Sequence, residues 1–108
     1  MEFDAYQDAA RRTAIYDPRH KVIYPALELA SEAGEVAGKV KKVLRDRGGD
    51  YGPEPIAALA DELGDVLWYV AVLAADLGLS LDTIAADNVA KLASRQERGA
   101  LGGDGDRR

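Results

Sequence analysis

The sequence predicts an all-α protein, an antiparallel bundle of about four helices that associates into a dimer or tetramer. Ala and Leu dominate the apolar 47% of the 108 residues, and aromatic residues make up only 6%. This composition favours helix over sheet. Apolar residues recur every three or four positions along two long segments, which is the period of an amphipathic helix. Four such helices carry more apolar surface than one small bundle can bury, so self-association is expected as well.

The N-terminal segment predicts a short helix and then an irregular connection. Phe3 to Ala14 can form a helix with Asp4 as its N-cap. Residues 15–24 contain Asp17-Pro18 and have no helical period, so they are expected to join the first two helices without regular structure. The only histidine of the chain, His20, lies in this connection.

Two longer helices follow, each with a continuous apolar stripe. The second helix is predicted from Pro25, which suits a first turn, to Gly48-Gly49, which stops it. Its stripe consists of Leu29, Ala33, Val36, Val40 and Val43. A loop of residues 48–53 leads to the third helix, which ends at Gly78 and has the stripe Leu59, Leu63, Val66, Val70, Leu73 and Leu77. Because the loop is short, the two helices are expected to be antiparallel.

The fourth helix and a C-terminal tail complete the chain. Ser80 is a suitable N-cap for a helix that runs to about Glu97. Residues 99–108 are rich in Gly and Asp and have no apolar period, so a mobile tail is expected. One domain is therefore predicted over residues 1–98, followed by a flexible tail over residues 99–108.

Composition and charge exclude several classes of protein. The chain has no cysteine, which excludes disulfides, thiolate metal sites and cysteine nucleophiles. Its longest apolar run, residues 66–75, is far shorter than the ~20 residues of a membrane span, and its acidic N-terminus lacks the pattern of a signal peptide. The net charge of −5 argues against nucleic-acid binding, which depends on Lys and Arg. We expect a cytoplasmic protein with neither a membrane nor a nucleic-acid partner.

The most informative feature is a pair of matching acidic motifs on the second and third predicted helices. Glu32-Ala-Gly-Glu35 and Glu62-Leu-Gly-Asp65 each place two carboxylates one turn apart on one helix face. Like charges at this spacing destabilise a helix unless a cation or partner neutralises them. The helical glycines Gly34, Gly38 and Gly64 each cost about 1 kcal/mol relative to alanine, which the close approach of a ligand or of another helix would offset.

Counting residues along the two helices brings the motifs to a similar level. At a rise of 1.5 Å per residue, the first motif lies about 19 Å from the loop end of its helix and the second about 14 Å. Converging carboxylates are the hard oxygen ligands that Mg²⁺ or Mn²⁺ prefers, and these metals commonly bridge to substrate phosphates. The motifs therefore predict a divalent-metal site, with a plain solvated acidic face as the alternative.

A polar stripe on the fourth predicted helix offers a basic counterpart. Asn88, Lys91 and Arg95 are spaced i, i+3 and i+7, so they share one helix face. Lys supplies a point charge and Arg a planar set of donors, a combination that suits a polyphosphate. Salt bridges to the acidic helices would explain the same pattern.

Together these motifs resemble those of the MazG-like nucleoside triphosphate pyrophosphohydrolases of the all-α nucleotide pyrophosphatase superfamily. The family signature is an ExxE motif, an ExxD motif and a downstream helix with Asn, Lys and often Arg, and the resemblance covers most of residues 3–97. It implies a helical dimer or tetramer that uses Mg²⁺ to hydrolyse a (deoxy)nucleoside triphosphate to a nucleoside monophosphate and pyrophosphate.

The resemblance also implies roles for individual residues. It assigns the metal ligands to Glu32, Glu35, Glu62 and Asp65, and the phosphate contacts to Lys91, Arg95 and Asn88. By analogy Glu35, ahead of Glu32, would orient or deprotonate the attacking water.

Selection of the base in this family depends on side chains near the first helix and the loop after it. There this chain offers Gln7, Tyr16 and His20 as candidate nucleobase contacts, with Tyr6 and Tyr24 beside them. Trp68 is expected in the core, since it adjoins the stripe residues Val66 and Val70.

Three other classes of helical protein are alternatives to this interpretation. A carboxylate-bridged di-iron bundle requires Glu-x-x-His motifs, which the chain lacks. A phosphoribosyl-ATP pyrophosphohydrolase belongs to the same superfamily and differs in substrate. A non-catalytic helical interaction module would bury a partner helix on the apolar stripes and leave the acids solvated. For such an interaction module, divalent metal is expected to have no effect.

Overall fold

The computed structural model describes all 108 residues, and its regular structure is entirely helical. A 3₁₀ turn, Pro18–His20, lies between the first two of four α-helices: α1 (Phe3–Arg12), α2 (Ile23–Arg47), α3 (Pro53–Asp76) and α4 (Leu81–Glu97). The prediction of an all-α chain with four helices is confirmed. Helix α1 ends two residues before the predicted Ala14, and α2 starts two residues before Pro25.

An antiparallel hairpin of α2 and α3 forms the frame of the molecule. Gly48 ends α2 in the left-handed conformation with a φ of 60°, which glycine adopts without strain. Pro53 then opens α3 at its first turn, where its missing N–H costs nothing. The two helices pack along most of their length, and this arrangement brings both acidic motifs onto one side of the hairpin.

Helix α1 crosses α3 and reaches the start of α4, where Asp4 has a different role from the predicted one. The N-cap of α1 is Glu2, which makes no capping bond with its side chain. The Asp4 carboxylate instead accepts hydrogen bonds from the Ser80 hydroxyl at 2.9 Å and from the backbone N–H of Asp82 at 3.0 Å. These bonds hold the pKa of Asp4 below its ordinary value. Asp4 thus satisfies free N–H groups of a neighbouring helix.

Buried Gln7 joins α1 to the junction between α3 and α4. Its amide nitrogen donates to the carbonyl oxygens of Ala71, at 3.2 Å, and Leu79, at 2.9 Å. Its amide oxygen accepts from the backbone N–H of Leu81 at 3.2 Å. One side chain therefore satisfies backbone groups that would otherwise be buried without partners.

Helix α4 leaves the hairpin at a bend of 106° from α3, so the predicted four-helix antiparallel bundle does not form within one chain. Gly78 has a φ of 73°, and the N–H of Leu79 bonds to the carbonyl oxygen of Ala74 at 2.8 Å. This is a Schellman ending, in which a left-handed residue reverses the chain direction after the last turn. Ser80 then caps α4 by accepting from the Thr83 N–H, as predicted.

Asp76 fastens the connection between α1 and α2 to the end of α3. Its Oδ2 atom accepts from the Tyr16 hydroxyl at 2.6 Å and from the Val22 N–H at 3.0 Å. Val22 has a φ of 69° and a ψ of −56°, and a 2.8 Å bond joins the residues on either side of it. This is a strained γ-turn, rare for a β-branched residue.

The shape of the molecule is open for its length. The radius of gyration is 16.7 Å, whereas about 13 Å is expected for a compact chain of this size. Only nine of the 108 residues are buried. No single helix is both long and apolar enough to cross a membrane; α3 and α4 reach that length and hydropathy only as a pair, across their bend.

The C-terminal tail lies against α4 through Asp106. The Asp106 carboxylate accepts from Lys91 Nζ at 2.8 Å and from an Arg95 Nη atom at 3.2 Å, and Arg95 also donates to the Asp106 carbonyl oxygen. Arg95 is 5% exposed as a result, and its Nε atom is buried without a partner. The mobility expected for residues 99–108 stays a prediction.

Candidate functional site

Three of the four motif carboxylates converge between α2 and α3. One carboxylate oxygen from each of Glu32, Glu62 and Asp65 lies within 4.8 Å of the other two. Glu32 comes from α2, and the other two residues lie one turn apart on α3. The prediction that the two motifs face each other at one level is therefore confirmed for these residues.

Glu35 stands apart from this acidic cluster of Glu32, Glu62 and Asp65. Its side chain is exposed, one helical turn from Glu32 towards the loop, and its carboxylate is not among the three that converge. Carboxylates at this spacing repel each other, so the more exposed one gains by turning into water.

Desolvation and the mutual repulsion of the carboxylates in the acidic cluster both perturb the pKa of Glu32. Partial burial, a hydrogen bond with Glu62 and the charges of Asp65, Glu62 and Glu28 raise the pKa of Glu32 above its ordinary value. Glu62 Oε2 is buried and has no hydrogen-bond partner. Buried carboxylate oxygens are normally paired or bound to metal. These three side chains therefore fit a divalent cation.

Lys39 is the cation nearest to this acidic cluster. Its Nζ atom lies 3.7 Å from Glu62 Oε1, and the two side chains are 35% and 16% exposed. The sequence prediction did not include this residue. Lys39 lies seven positions after Glu32, two helical turns along the same face of α2, and this spacing turns the lysine towards α3.

A cleft of about 390 Å³ adjoins the acidic cluster on its α1 side. Its lining includes Glu32 and Asp65 together with the side chains of Thr13, Trp68 and Tyr69. The Trp68 indole N–H donates to the Thr13 hydroxyl at 2.9 Å, and the ring meets that of Tyr69 edge to face at 4.9 Å between centroids. Trp68 packs against the core, as predicted, and also forms a wall of this cleft.

The pKa values of two tyrosines near the acidic cluster are raised. Desolvation, reinforced by the charge of Asp65, raises the pKa of Tyr6. Desolvation, the neighbouring Tyr24 and the charges of Glu28 and Glu32 raise the pKa of Tyr69 to about 12. Both hydroxyls therefore stay protonated at neutral pH and can donate hydrogen bonds beside the carboxylates.

The predicted basic stripe does not meet the acidic cluster within one chain. Lys91 and Arg95 lie on α4 beyond the 106° bend, which turns this helix away from the hairpin. Asn88 is exposed on the same helix. The cations of this stripe bind Asp106 of the tail instead.

The three predicted nucleobase contacts are likewise dispersed. Both ends of the Gln7 amide are committed to backbone groups. The Tyr16 hydroxyl bonds to Asp76, and its ring stacks on Tyr24 at 5.1 Å. His20 is exposed in the 3₁₀ turn. None of the three lines the cleft beside the acidic cluster, where Trp68 and Tyr69 lie.

The helical glycines leave open space in and after the motifs. A Cβ atom built on Gly34, Gly38 or Gly64 would have no neighbour within 4 Å. Tight packing between helices of one chain therefore does not account for these glycines.

Comparison with known proteins identifies the family of this chain. The model of the MazG nucleotide pyrophosphohydrolase domain family matches residues 24–99, which include both motifs and α4. The "Gene 37 protein" of Mycobacterium phage L5 is 46% identical over 114 residues, and the alignment covers 100% of each chain. No solved structure matches this chain. A match over more than half of the sequence makes this chain a member of the MazG nucleotide pyrophosphohydrolase domain family.

Proposed function

We propose that this protein hydrolyses a (deoxy)nucleoside triphosphate at the α-phosphorus with Mg²⁺, releasing a nucleoside monophosphate and pyrophosphate. The observation that carries the proposal is the convergence of Glu32, Glu62 and Asp65 around a buried carboxylate oxygen without a partner. The adjoining aromatic cleft provides a place for the nucleoside. Membership of a pyrophosphohydrolase family supports the reaction class.

The acidic cluster would hold the cation through oxygen ligands. Carboxylates of this kind suit Mg²⁺, with Mn²⁺ as a substitute. When bound, the cation would neutralise negative charge on the phosphate oxygens. Glu32, Glu62 and Asp65 come from two rigid helices, so their carboxylates stay in place while the substrate binds.

Glu35 is the proposed group that orients the attacking water and takes its proton. It stands one turn from Glu32, is exposed and is not drawn into the acidic cluster, so its carboxylate is free to accept a proton. The water oxygen forms a bond to the α-phosphorus while the bond to the bridging oxygen of the β-phosphate breaks. That bond's electron pair leaves with pyrophosphate.

The aromatic cleft is the proposed site of the nucleoside. The ring of Trp68 lies beside Glu32 and Asp65. Aromatic side chains commonly bind nucleobases by stacking, which works for any base. Thr13 and Tyr69 add hydroxyls at the same wall. This placement transfers the nucleobase role from Gln7, Tyr16 and His20 to residues that lie beside the acidic cluster.

We further propose a homodimer or homotetramer in which α4 of one copy covers the hairpin of another. Exposed apolar side chains lie beside the motifs, at Leu63 and Leu67, and along α4, at Val89 and Leu92. Packing these faces together would remove them from water. It would also carry Asn88, Lys91 and Arg95 to a neighbouring acidic cluster, where they could contact phosphates as the family resemblance implies.

The test is a panel of (deoxy)nucleoside triphosphates and phosphoribosyl-ATP with and without Mg²⁺, scoring the products. Monophosphate plus pyrophosphate is expected, whereas diphosphate plus orthophosphate would contradict attack at the α-phosphorus. Glu62→Gln should lower kcat/KM by about a hundredfold or more, since it removes a charged ligand. The matched control is Asp61→Asn, an exposed neighbour outside the acidic cluster. Binding of Mg²⁺ that is equal in wild type and Glu62→Gln would favour a non-catalytic interaction module.

A further inference from the structure

A basic pocket lies on the opposite side of the acidic cluster from the aromatic cleft. It encloses about 260 Å³ between the last turns of α2 and the first turns of α3. Its charged lining comprises Lys39, Lys42, Asp46, Arg47 and Glu54. Lys39 belongs both to this pocket and to the edge of the acidic cluster, through its contact with Glu62. The two sites are therefore continuous.

Most charges in this pocket already have partners within the chain. Asp46 pairs with Arg45 at 2.8 Å, and Arg47 pairs with Glu54 at 3.0 Å. Lys42 makes no ion pair, although after the hydrogen bond from Arg45 its charge also lowers the pKa of Asp46. Lys39 makes only the 3.7 Å contact with Glu62. The pocket thus keeps two cations for a ligand, one helical turn apart on the same face of α2.

The position of the pocket matches one end of a nucleoside triphosphate. If the α-phosphorus lies at the acidic cluster and the base lies against Trp68, the remaining phosphates extend away from the cleft towards Lys39. A pyrophosphate group carries several negative charges, and ammonium groups bind it as point charges. Lys42 lies beyond Lys39 in the same direction, towards the loop.

We propose that Lys39 and Lys42 form the binding pocket for the pyrophosphate leaving group, so that the substrate lies along the hairpin with its base towards α1 and its terminal phosphate towards the α2–α3 loop. The identity of the ligand in this inference rests on the proposed reaction. The location of the pocket follows from its own charged lining. The same pocket would retain pyrophosphate after the α-phosphorus bond has broken.

Calorimetry with inorganic pyrophosphate and Mg²⁺ on the full chain tests the pocket without any turnover. Lys42→Gln should weaken binding of pyrophosphate about tenfold, the loss of one charge-assisted contact. Lys41→Gln is the matched control, because Lys41 is exposed on the same helix and does not line the pocket. Lys42→Arg keeps the charge and should retain most of the affinity, which separates loss of charge from loss of structure.

Product inhibition gives a second readout that is specific to this end of the substrate. Lys42→Gln should raise the inhibition constant of pyrophosphate and leave that of the nucleoside monophosphate unchanged. Equal pyrophosphate affinity in wild type and Lys42→Gln, or orthophosphate binding as tightly as pyrophosphate, would overturn the assignment. Absence of hydrolysis with pyrophosphate binding intact and dependent on Lys42 would instead reject the proposed reaction and retain the pocket.

Discussion

The indole N–H of Trp68 donates to the hydroxyl of Thr13 at 2.9 Å and so joins α3 to the end of α1 at the rim of the aromatic cleft. Trp68 is the only tryptophan in the chain. Its fluorescence therefore reports on the aromatic cleft beside the acidic cluster.

A nucleotide stacked in this cleft should quench the fluorescence of Trp68. Trp68→Ala should weaken nucleotide binding by about tenfold or more, the worth of base stacking on an aromatic ring. Trp68→Phe retains a ring and should recover part of the loss. Tyr51→Ala is the control, because Tyr51 is an exposed aromatic residue of the α2–α3 loop and does not line the cleft. Unchanged fluorescence at saturating nucleotide would place the base elsewhere.

The raised pKa of Glu32 makes metal binding sensitive to acid. Metal ligands must be deprotonated, so the affinity for Mg²⁺ should begin to fall at a pH above 4.5, the ordinary value for this side chain. Calorimetric titrations from neutral pH downwards measure this. An affinity that stays constant until the pH reaches 4.5 would contradict it.

Stability without metal should respond to pH in the opposite direction. Because the folded-state pKa of Glu32 is raised, the folded protein binds this proton more readily than the unfolded chain does. The free energy of unfolding should therefore rise as the pH falls through the raised pKa towards 4.5. Denaturant unfolding at a series of pH values measures the slope, and Glu32→Gln should flatten it.

Gln7→Met should lower the stability of the fold rather than alter base selection. It leaves the backbone groups that Gln7 satisfies without partners, which costs about 1–3 kcal/mol. Denaturant unfolding measures the loss. Gln96→Met, at an exposed position of α4, should stay within about 0.5 kcal/mol of wild type. A changed ratio of kcat/KM between bases with unchanged stability would return Gln7 to the nucleobase site.

Asp106→Asn should release the C-terminal tail from α4. The substitution removes the carboxylate that Lys91 and Arg95 share, and these bonds lower the pKa of Asp106. Amide exchange over residues 99–108 should accelerate. Asp104→Asn is the control, because the Asp104 side chain bonds only to the N–H of Gly105. Slow exchange in both variants would show that the tail is held by other contacts.

The same substitution bears on the predicted phosphate contacts. If Lys91 and Arg95 bind phosphates in an assembled protein, Asp106 competes for them, since its carboxylate occupies the same donors. Asp106→Asn should then lower KM for the triphosphate with little change in kcat. A KM equal to that of wild type would indicate that these two residues do not contact substrate.

The sequence predicted the elements whose signals are local. The periods of α2 and α3 and the stops at Gly48 and Gly78 located the hairpin, and the rise per residue brought Glu32 level with Glu62. Each of these features depends only on residues within one or two turns.

The features that the sequence did not predict depend on contacts between elements. Helical periodicity carries no information on the 106° bend, so the remoteness of Lys91 was not foreseen. Asp4 has the right residue type for a cap, but the N–H groups that it satisfies belong to α4. The separation of Glu35 from the acidic cluster and the contact of Lys39 with Glu62 likewise depend on how α2 packs against α3.

The open shape of the chain has a consequence for every measurement of its stability. A protomer that buries nine of 108 residues gains little free energy from its own interior, and in the proposed assembly its exposed apolar faces would gain theirs from another copy. Folding and assembly then form one equilibrium governed by mass action. The melting temperature should rise with protein concentration. Dilution should lower it at constant buffer composition.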